Sequence, residues 1–387
     1  MKVAIVKERR ALERRVAATP ETVKRLLGLK LEVVVESGAG AGAFFGDDAY
    51  AESGARIARD EEAALGEADV VLKVQRPLLD EGGIDELSSI RSGTVLIGLL
   101  QPLERAAQIE AYARHGVIAF AMELIPRITR AQTMDVLSSQ ANLAGYRAVL
   151  EAATEFDRAL PMMMTAAGTI KAARVLVMGA GVAGLQAIAT ARRLGAIVSA
   201  TDVRAAAKEQ VESLGASFLS VDEAAQKAAE TAGGYAREMG EDYARRQQEL
   251  VTETLRKTDI VICTALIPGR KAPLLITEPM LGVLAPGSVV VDLAVEAGGN
   301  VAGSRPGEIV TTANGVKIIG HPNLPAHIAA DASRLYARNL LSFLTLLVDG
   351  EGKLKIDTAD EIVKAALLTR DGAVVNPVLA KSPAPVS

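Results

Sequence analysis

The 387-residue sequence has one cysteine, three histidines, no excess of either charge and no long apolar run. The lone Cys263 excludes an intramolecular disulfide and a cysteine-rich zinc site, and it fits a reducing, cytoplasmic compartment. Forty-three Lys plus Arg against 47 Asp plus Glu leave a net charge of −4. With no basic block, nucleic-acid binding is set aside, since it depends on clustered charge against phosphate. The longest uncharged stretch, Val175 to Ala191, is broken by Gly179, Gly181 and Gly184, and it falls short of the roughly 20 residues a bilayer requires. The amino terminus becomes charged again at Lys7 after four apolar residues, too soon for the apolar region of a signal peptide.

What is present is an ordinary globular balance, 49% hydrophobic and 23% charged, and a length that predicts two or three domains at roughly 150 residues each. The first third alternates short β-branched runs (Val3–Val6, Leu31–Val35, Val70–Val74, Val95–Leu99, Val117–Ala121) with amphipathic helical segments at Pro20–Leu27 and Leu103–His115. That alternation predicts a mostly parallel sheet covered by helices. A long helix over Asp135–Phe156 follows, and a second αβ series begins at Ala173. Its strands are Val175–Met178, Ile197–Ala200, Ser217–Leu219, Asp259–Thr264, Ser288–Asp292 and the pair Glu308–Val310 and Val316–Ile319. Another long helix, Ala326–Val348, leaves too little chain for a further domain, so it returns to the first. The expected architecture is therefore α/β, with two Rossmann-like domains of parallel sheet, the first discontinuous (1–136 plus 326–370), the second at 137–325. Two long helices join them, with a cleft between, and a flexible tail covers 371–387.

Val175–Met178 runs straight into Gly179-Ala180-Gly181-Val182-Ala183-Gly184 and then into a helix. This is G-x-G-x-x-G in its required setting of strand, tight turn and helix. Gly179 makes the turn, Gly181 lets the backbone approach a pyrophosphate, and Gly184 allows close packing of helix on strand. Asp202, at the end of the next strand in Asp202-Val203-Arg204, is placed to accept from the adenosine ribose hydroxyls and to repel a 2′-phosphate. NAD(H) is thus expected over NADP(H), with Arg204 as the complication, since a nearby Arg accommodates a phosphate. The alternative is a glycine-rich turn of another αβ fold.

The fingerprint leaves the hydride partner open. A dehydrogenase acting on a small alcohol or amine needs a general acid/base, and only His115, His321 and His327 serve in the usual way. His115 reads as a helix C-terminal cap; the other two read as cleft-lining, surface or capping groups. Hydride passage between two nicotinamide rings needs orientation only, so the scarcity of bases favours a second nicotinamide as partner.

Over nearly its whole length the chain resembles the alanine dehydrogenase/transhydrogenase family. Lys7-Glu8, Glu13 to Pro20, Val71 to Pro77, Ala265 to Pro273 and Pro286 to Ala294 carry the likeness to both branches. Two features set it nearer the NAD(H)-binding soluble component of proton-translocating NAD(P) transhydrogenases. Arg127 to Ser138 is similar to the transhydrogenase loop of an Arg, a Gln and an Asp, here Arg127, Gln132 and Asp135. On that likeness the three are the catalytic candidates, with Ser138 beginning the helix beside the same ring; read without it, the segment is a surface loop with a helix N-cap at Asp135. Where alanine dehydrogenases carry a catalytic His, this chain has Leu100-Gln101-Pro102, and where they carry a later Asp it has Glu296. Arg15 and Lys73, matching the pyruvate-binding positions of that branch, remain, either as a vestigial carboxylate site or as structural ion pairs.

The resemblance implies further cofactor contacts at Val182, Val203 and Thr264-Ala265-Leu266. It also implies a mobile loop in which Tyr235 and Met239, hinged at Gly233 and Gly234, fold over the nucleotide; the alternative is a plain surface excursion. It implies no metal, an NADP(H)-binding beta subunit and membrane-spanning subunits as partners, and a homodimer to which Leu340–Val348 contributes. Hydride transfer would be coupled to proton movement at the inner membrane. The competing readings are an autonomous amino-acid dehydrogenase and a nucleotide-sensing subunit without chemistry.

Overall fold

The structure is a computed structural model that describes residues 1–221 and 241–379, with side chains in the helix starting at Glu241 described from Arg245. Two compact units are present: Met1–Gln140 with Pro325–Ser387, and the continuous Ala141–Leu324. The chain thus leaves the first unit inside the helix Val136–Glu155 and returns to it ahead of the helix Ala329–Leu346. Among the described residues no helix is long and apolar enough to cross a membrane.

The first unit is built on β1 (Lys2–Ile5), β2 (Glu32–Glu36), β3 (Arg56–Ala58), β4 (Val70–Gln75), β5 (Val95–Leu99) and β6 (Ile118–Ala121). Their order is β3-β2-β1-β4-β5-β6, parallel throughout. Because helices cover both faces, β1, β4 and β5 are buried along nearly their whole length and read as unbroken apolar runs. The first helix starts where the sequence places it: Thr19 caps Pro20–Gly28 in a reciprocal box with Thr22, and Pro20 stands where no amide is needed. The helix Ala106–His115 ends on Gly116 at φ +79°, a left-handed residue that terminates it without strain.

The returning helix Ala329–Leu346 is part of this core. Phe343 meets Phe120 edge to face, with centroids 5.5 Å apart, and the Tyr336 hydroxyl donates to the Lys73 carbonyl at 2.9 Å. The sequence suggested Leu340–Val348 for a dimer contact; instead Leu340, Phe343, Leu344 and Leu347 are wholly buried inside the first unit. The tail also begins later than expected. The strands β16 (Thr369–Arg370) and β17 (Ala373–Val374) form a hairpin, Thr369 Oγ1 donates to the Val117 carbonyl at 2.7 Å, and buried Asn376 donates to the carbonyls of Ala365 and Leu367.

The second unit carries β9 (Arg174–Met178), β10 (Ile197–Thr201), β11 (Ser217–Phe218), β12 (Ile260–Cys263), β13 (Val289–Asp292), β14 (Ile309–Thr311) and β15 (Lys317–Ile319). They lie in the order β11-β10-β9-β12-β13-β15-β14, parallel except for the edge strand β14. Both sheets thus reverse their winding beside their first strand, and in such sheets ligands bind at the carboxyl ends of the strands flanking that reversal. A two-stranded hairpin precedes the second sheet, β7 (Met163–Thr165) with β8 (Gly168–Ile170), and every residue of both strands is exposed.

Candidate functional site

The glycine turn joins β9 to the helix Val182–Arg193 at the switch point between β9 and β12. Gly179 takes φ +100°, and a β-carbon on it would stand 2.6 Å from Thr264 Oγ1. Thr264, just past β12, in turn donates its hydroxyl to the Gly179 carbonyl at 2.9 Å. Gly184 is excluded from carrying a side chain by the Gly179 carbonyl oxygen, 1.8 Å from where its β-carbon would lie. A β-carbon on Gly181 would meet nothing within 4 Å. This is open space beside the first amides of a helix that has no side-chain cap and no acidic residue in its first turn. A dinucleotide pyrophosphate fits such a cradle: the amides and the helix dipole face it, and no side chain intervenes.

Asp202, at the end of β10, is tied to this turn. One carboxylate oxygen accepts from the Ala180 amide at 2.7 Å, and both accept from the Arg204 guanidinium at 2.9 Å. Burial pushes its pKa up, but the Arg204 side chain and the amides of Arg204 and Ala180 outweigh that and hold it below the usual carboxylate range. Arg204 therefore lies folded onto Asp202, its charge countered. Val182, Val203 and Leu266 form an exposed apolar rim at the ends of β9, β10 and β12, with Ala265 half-buried beside them. Tyr235 and Met239, with the hinge glycines, lie outside the described residues.

Three residues at this site carry no signal in the sequence. Gln247 donates to Thr201 Oγ1 at 2.7 Å, next to Asp202, and its own buried Oε1 has no hydrogen-bond partner among the described residues. Asn300, fully buried, ties the Ala265–Pro273 loop by donating to both end carbonyls, at 2.9 and 2.8 Å. The Asp292 carboxylate holds its amide. Gly145 lets the helix Val136–Glu155 lie against the backbone of Ala183. Isolated amide side chains and a mid-helix glycine have no period or spacing by which to be found.

In the first unit the turn Thr129–Met134 presents Gln132 to solvent, and Arg127 just before it is exposed. Neither side chain makes a hydrogen bond or ion pair among the described residues. Asp135 does not pair with Arg127: its two oxygens accept from the Ser138 amide at 2.8 Å and the Ser138 hydroxyl at 2.6 Å, capping the long helix. Two exposed polar groups beside a rigid cap suit contact with a ligand amide or phosphate.

Arg15 and Lys73 are fully engaged by the protein. Arg15 is bidentate on Glu13, at 2.8 and 2.6 Å, and donates to Gln140 at 2.8 Å. Lys73 contacts Glu86 at 2.6 Å and Glu8 at 3.6 Å. All of these ion-pairing side chains are buried. Gln101 accepts from Arg76 Nε at 3.1 Å and donates its amide to Glu123 at 2.5 Å. Of the histidines, His115 contacts the Ile90 carbonyl at 2.6 Å and His321 stands 3.7 Å from Glu151.

Residues 4–144 match the family model described as alanine dehydrogenase/PNT, N-terminal domain, and residues 148–377 match the corresponding C-terminal domain. The first of the chains that make up the NAD(P) transhydrogenase subunit alpha of Rhodospirillum rubrum is 60% identical over 98% of this chain and 99% of its own length. A transhydrogenase structure from Sinorhizobium meliloti superimposes with a TM-score of 0.88 at 54% identity, over 97% of this chain and 100% of that one. An L-alanine dehydrogenase shares the fold, with a TM-score of 0.82 at 24% identity over 98% of each chain. With a glycine turn of this geometry and both family models covering nearly every described residue, the chain belongs to the alanine dehydrogenase/PNT family.

Proposed function

We propose that this chain is the NAD(H)-binding component of a proton-translocating NAD(P) transhydrogenase. In this reading hydride passes directly between NADH held here and NADP⁺ held by a beta subunit, coupled to proton movement through membrane-spanning subunits. The observation that carries the choice of hydride partner is the closure of Arg15 and Lys73 by Glu13, Glu8 and Glu86. A substrate carboxylate needs a cation with charge to offer, and an amino-acid dehydrogenase needs an acid where Gln101 stands.

When bound, NADH supplies the hydride. The amides following Gly181 hold its pyrophosphate, Asp202 with Arg204 borders the adenosine ribose, and Thr264 to Leu266 line the approach to the turn. Gln132 donates to and accepts from the nicotinamide carboxamide, with Arg127 and the Asp135–Ser138 cap beside it. Orientation of two rings is an effect that supplies roughly 7–11 kcal/mol without proton transfer. The chain sits in the cytoplasm, held at the inner membrane through its partners, and forms a homodimer. The exposed β7–β8 hairpin, with Met162, Met163, Met164 and Ile170 uncovered, supports the dimer, since a solvated two-stranded hairpin is marginal by itself.

The test is to follow NADH absorbance in the purified chain, first with pyruvate and ammonium and then with NADP⁺ and its binding subunit. Oxidation only in the second mixture is expected. Steady oxidation by pyruvate and ammonium would return the chain to the alanine dehydrogenase reading, and NADH binding without turnover in either mixture would leave a sensing subunit.

A further inference from the structure

The turn Thr129–Met134 is a single 3₁₀ segment, a conformation with poor hydrogen-bond geometry that does not hold a side chain's aim by itself. Two side chains from the returning carboxyl-terminal segment take hold of it. Asn339, 8% exposed on the helix Ala329–Leu346, uses both ends of its amide. Its Nδ2 donates to the Thr133 carbonyl at 2.8 Å, and its Oδ1 accepts from Ser139 Oγ at 2.8 Å. One planar group therefore fixes the residue after Gln132 and the residue after Ser138 together. At the other end Arg130 meets both oxygens of Asp360, at 2.7 and 3.1 Å. Asp360 is itself immobilised as the N-cap of the helix Glu361–Ala366, accepting from the Ile362 amide at 2.8 Å. Between the two anchors Ala131 and Met134 are buried and Gln132 faces outward.

We propose that Asn339 and Asp360 are positioning residues for hydride transfer, holding the Thr129–Met134 turn from both ends so that Gln132 meets the nicotinamide in one orientation. The inference rests on the function proposed above. Neither residue touches the ring; both act through Gln132.

Two variants separate this role from a role in folding. Asn339→Asp keeps the size and the acceptor for Ser139 but removes the donor to Thr133. Asp360→Asn keeps the helix cap, since Asn caps as well as Asp, but removes the ion pair with Arg130. In the full chain with the NADP⁺-binding subunit, each is expected to slow hydride transfer about 10- to 100-fold, the scale of a small misplacement of reacting groups, while NADH affinity by fluorescence titration stays unchanged. Adding Gln132→Ala to either variant should then cost little more, because residues acting as one unit are not additive.

A wild-type protein that transfers no hydride overturns the functional reading and this proposal with it. An active wild type with variants at the same rate overturns the proposal alone. So do losses that multiply with Gln132→Ala or that track NADH affinity, which would mark a purely structural role. Should Asn339→Asp not fold, the more exposed Asp360→Asn carries the test.

Discussion

Gly145 and Ala183 bring two helices into backbone contact: a β-carbon on Gly145 would stand 2.0 Å from the Ala183 carbonyl oxygen. On its other side the helix that carries Ala183 is pressed against the strand turn, where Gly184 meets the Gly179 carbonyl. The amides offered to a pyrophosphate are thus fixed from two directions. Gly145→Ala should overpack this contact, cost about 1–3 kcal/mol, and weaken NADH binding by shifting the first turn of Val182–Arg193. Thermal melting and NADH titration check both. An unchanged melt with unchanged affinity would mean that the helices separate without consequence.

Asp202 and Arg204 predict a change of cofactor preference. Asp202→Ala removes the counter-ion of a guanidinium that stands beside the ribose position. NADH affinity should fall and NADPH affinity should rise, because the released Arg204 then accepts a 2′-phosphate. Parallel titrations with the two nucleotides measure it. If NADPH affinity does not move, Arg204 does not reach the 2′ position.

Arg15 and Glu13 predict a dependence of stability on acid. The Glu13 carboxyl is pushed up by burial but brought down to about 2 by Arg15, whose charge and hydrogen bonds dominate. Its folded value is depressed, so its stabilisation is complete above the unfolded value near 4.5 and is lost as pH falls through about 2. Glu13→Gln should cost about 3–5 kcal/mol at pH 7 by stranding a buried guanidinium, and the gap to wild type should narrow toward pH 2. Denaturant melts at both pH values test this. A constant gap would assign the loss to packing.

Glu123 predicts the opposite slope. Burial raises its carboxyl from 4.5 to about 7, against the amides of Gln101, Leu100 and Glu123 itself, which lower it. With the folded value raised, its contribution is present below about 4.5 and is lost as pH rises through 7. Glu123→Gln, which stands in for the protonated acid, should be more stable than wild type at pH 8, by up to about 3 kcal/mol, and level with it at pH 4. Equal stability at pH 8 would show that the three amides fully compensate the ionised form.

The parts of this molecule that are legible in the sequence are those with a local cause. The Gly179–Gly184 turn, the capped helix at Thr19 and the Val-rich central strands each follow from a few adjacent residues. The strand Arg56–Ala58 is short and has only one β-branched residue, so nothing marks it. The β7–β8 hairpin is missed because Met163 and Met164 are weak strand formers and no buried face imposes alternation. Thr369 and Asn376 sit among prolines and small residues that read as a loose end, yet their hydrogen bonds to Val117, Ala365 and Leu367 bind the segment to the sheet. The identity of Arg15 and Lys73 suggests a carboxylate site; only their spatial neighbours Glu13, Glu8 and Glu86 show the charges to be spoken for. Asn339, Asn300 and Gln247 act at a distance in sequence and announce themselves only in three dimensions.

The interruption of the first unit by the second sets an order on synthesis. Residues 141–324 emerge from the ribosome as one uninterrupted piece. The first sheet, although translated earlier, must wait for Phe343 to cover Phe120 and for Thr369 to reach the edge of β6. Until then its apolar face lacks a cover. Chains truncated near residue 330 are therefore expected to release a finished second unit attached to an unfinished, aggregation-prone first one.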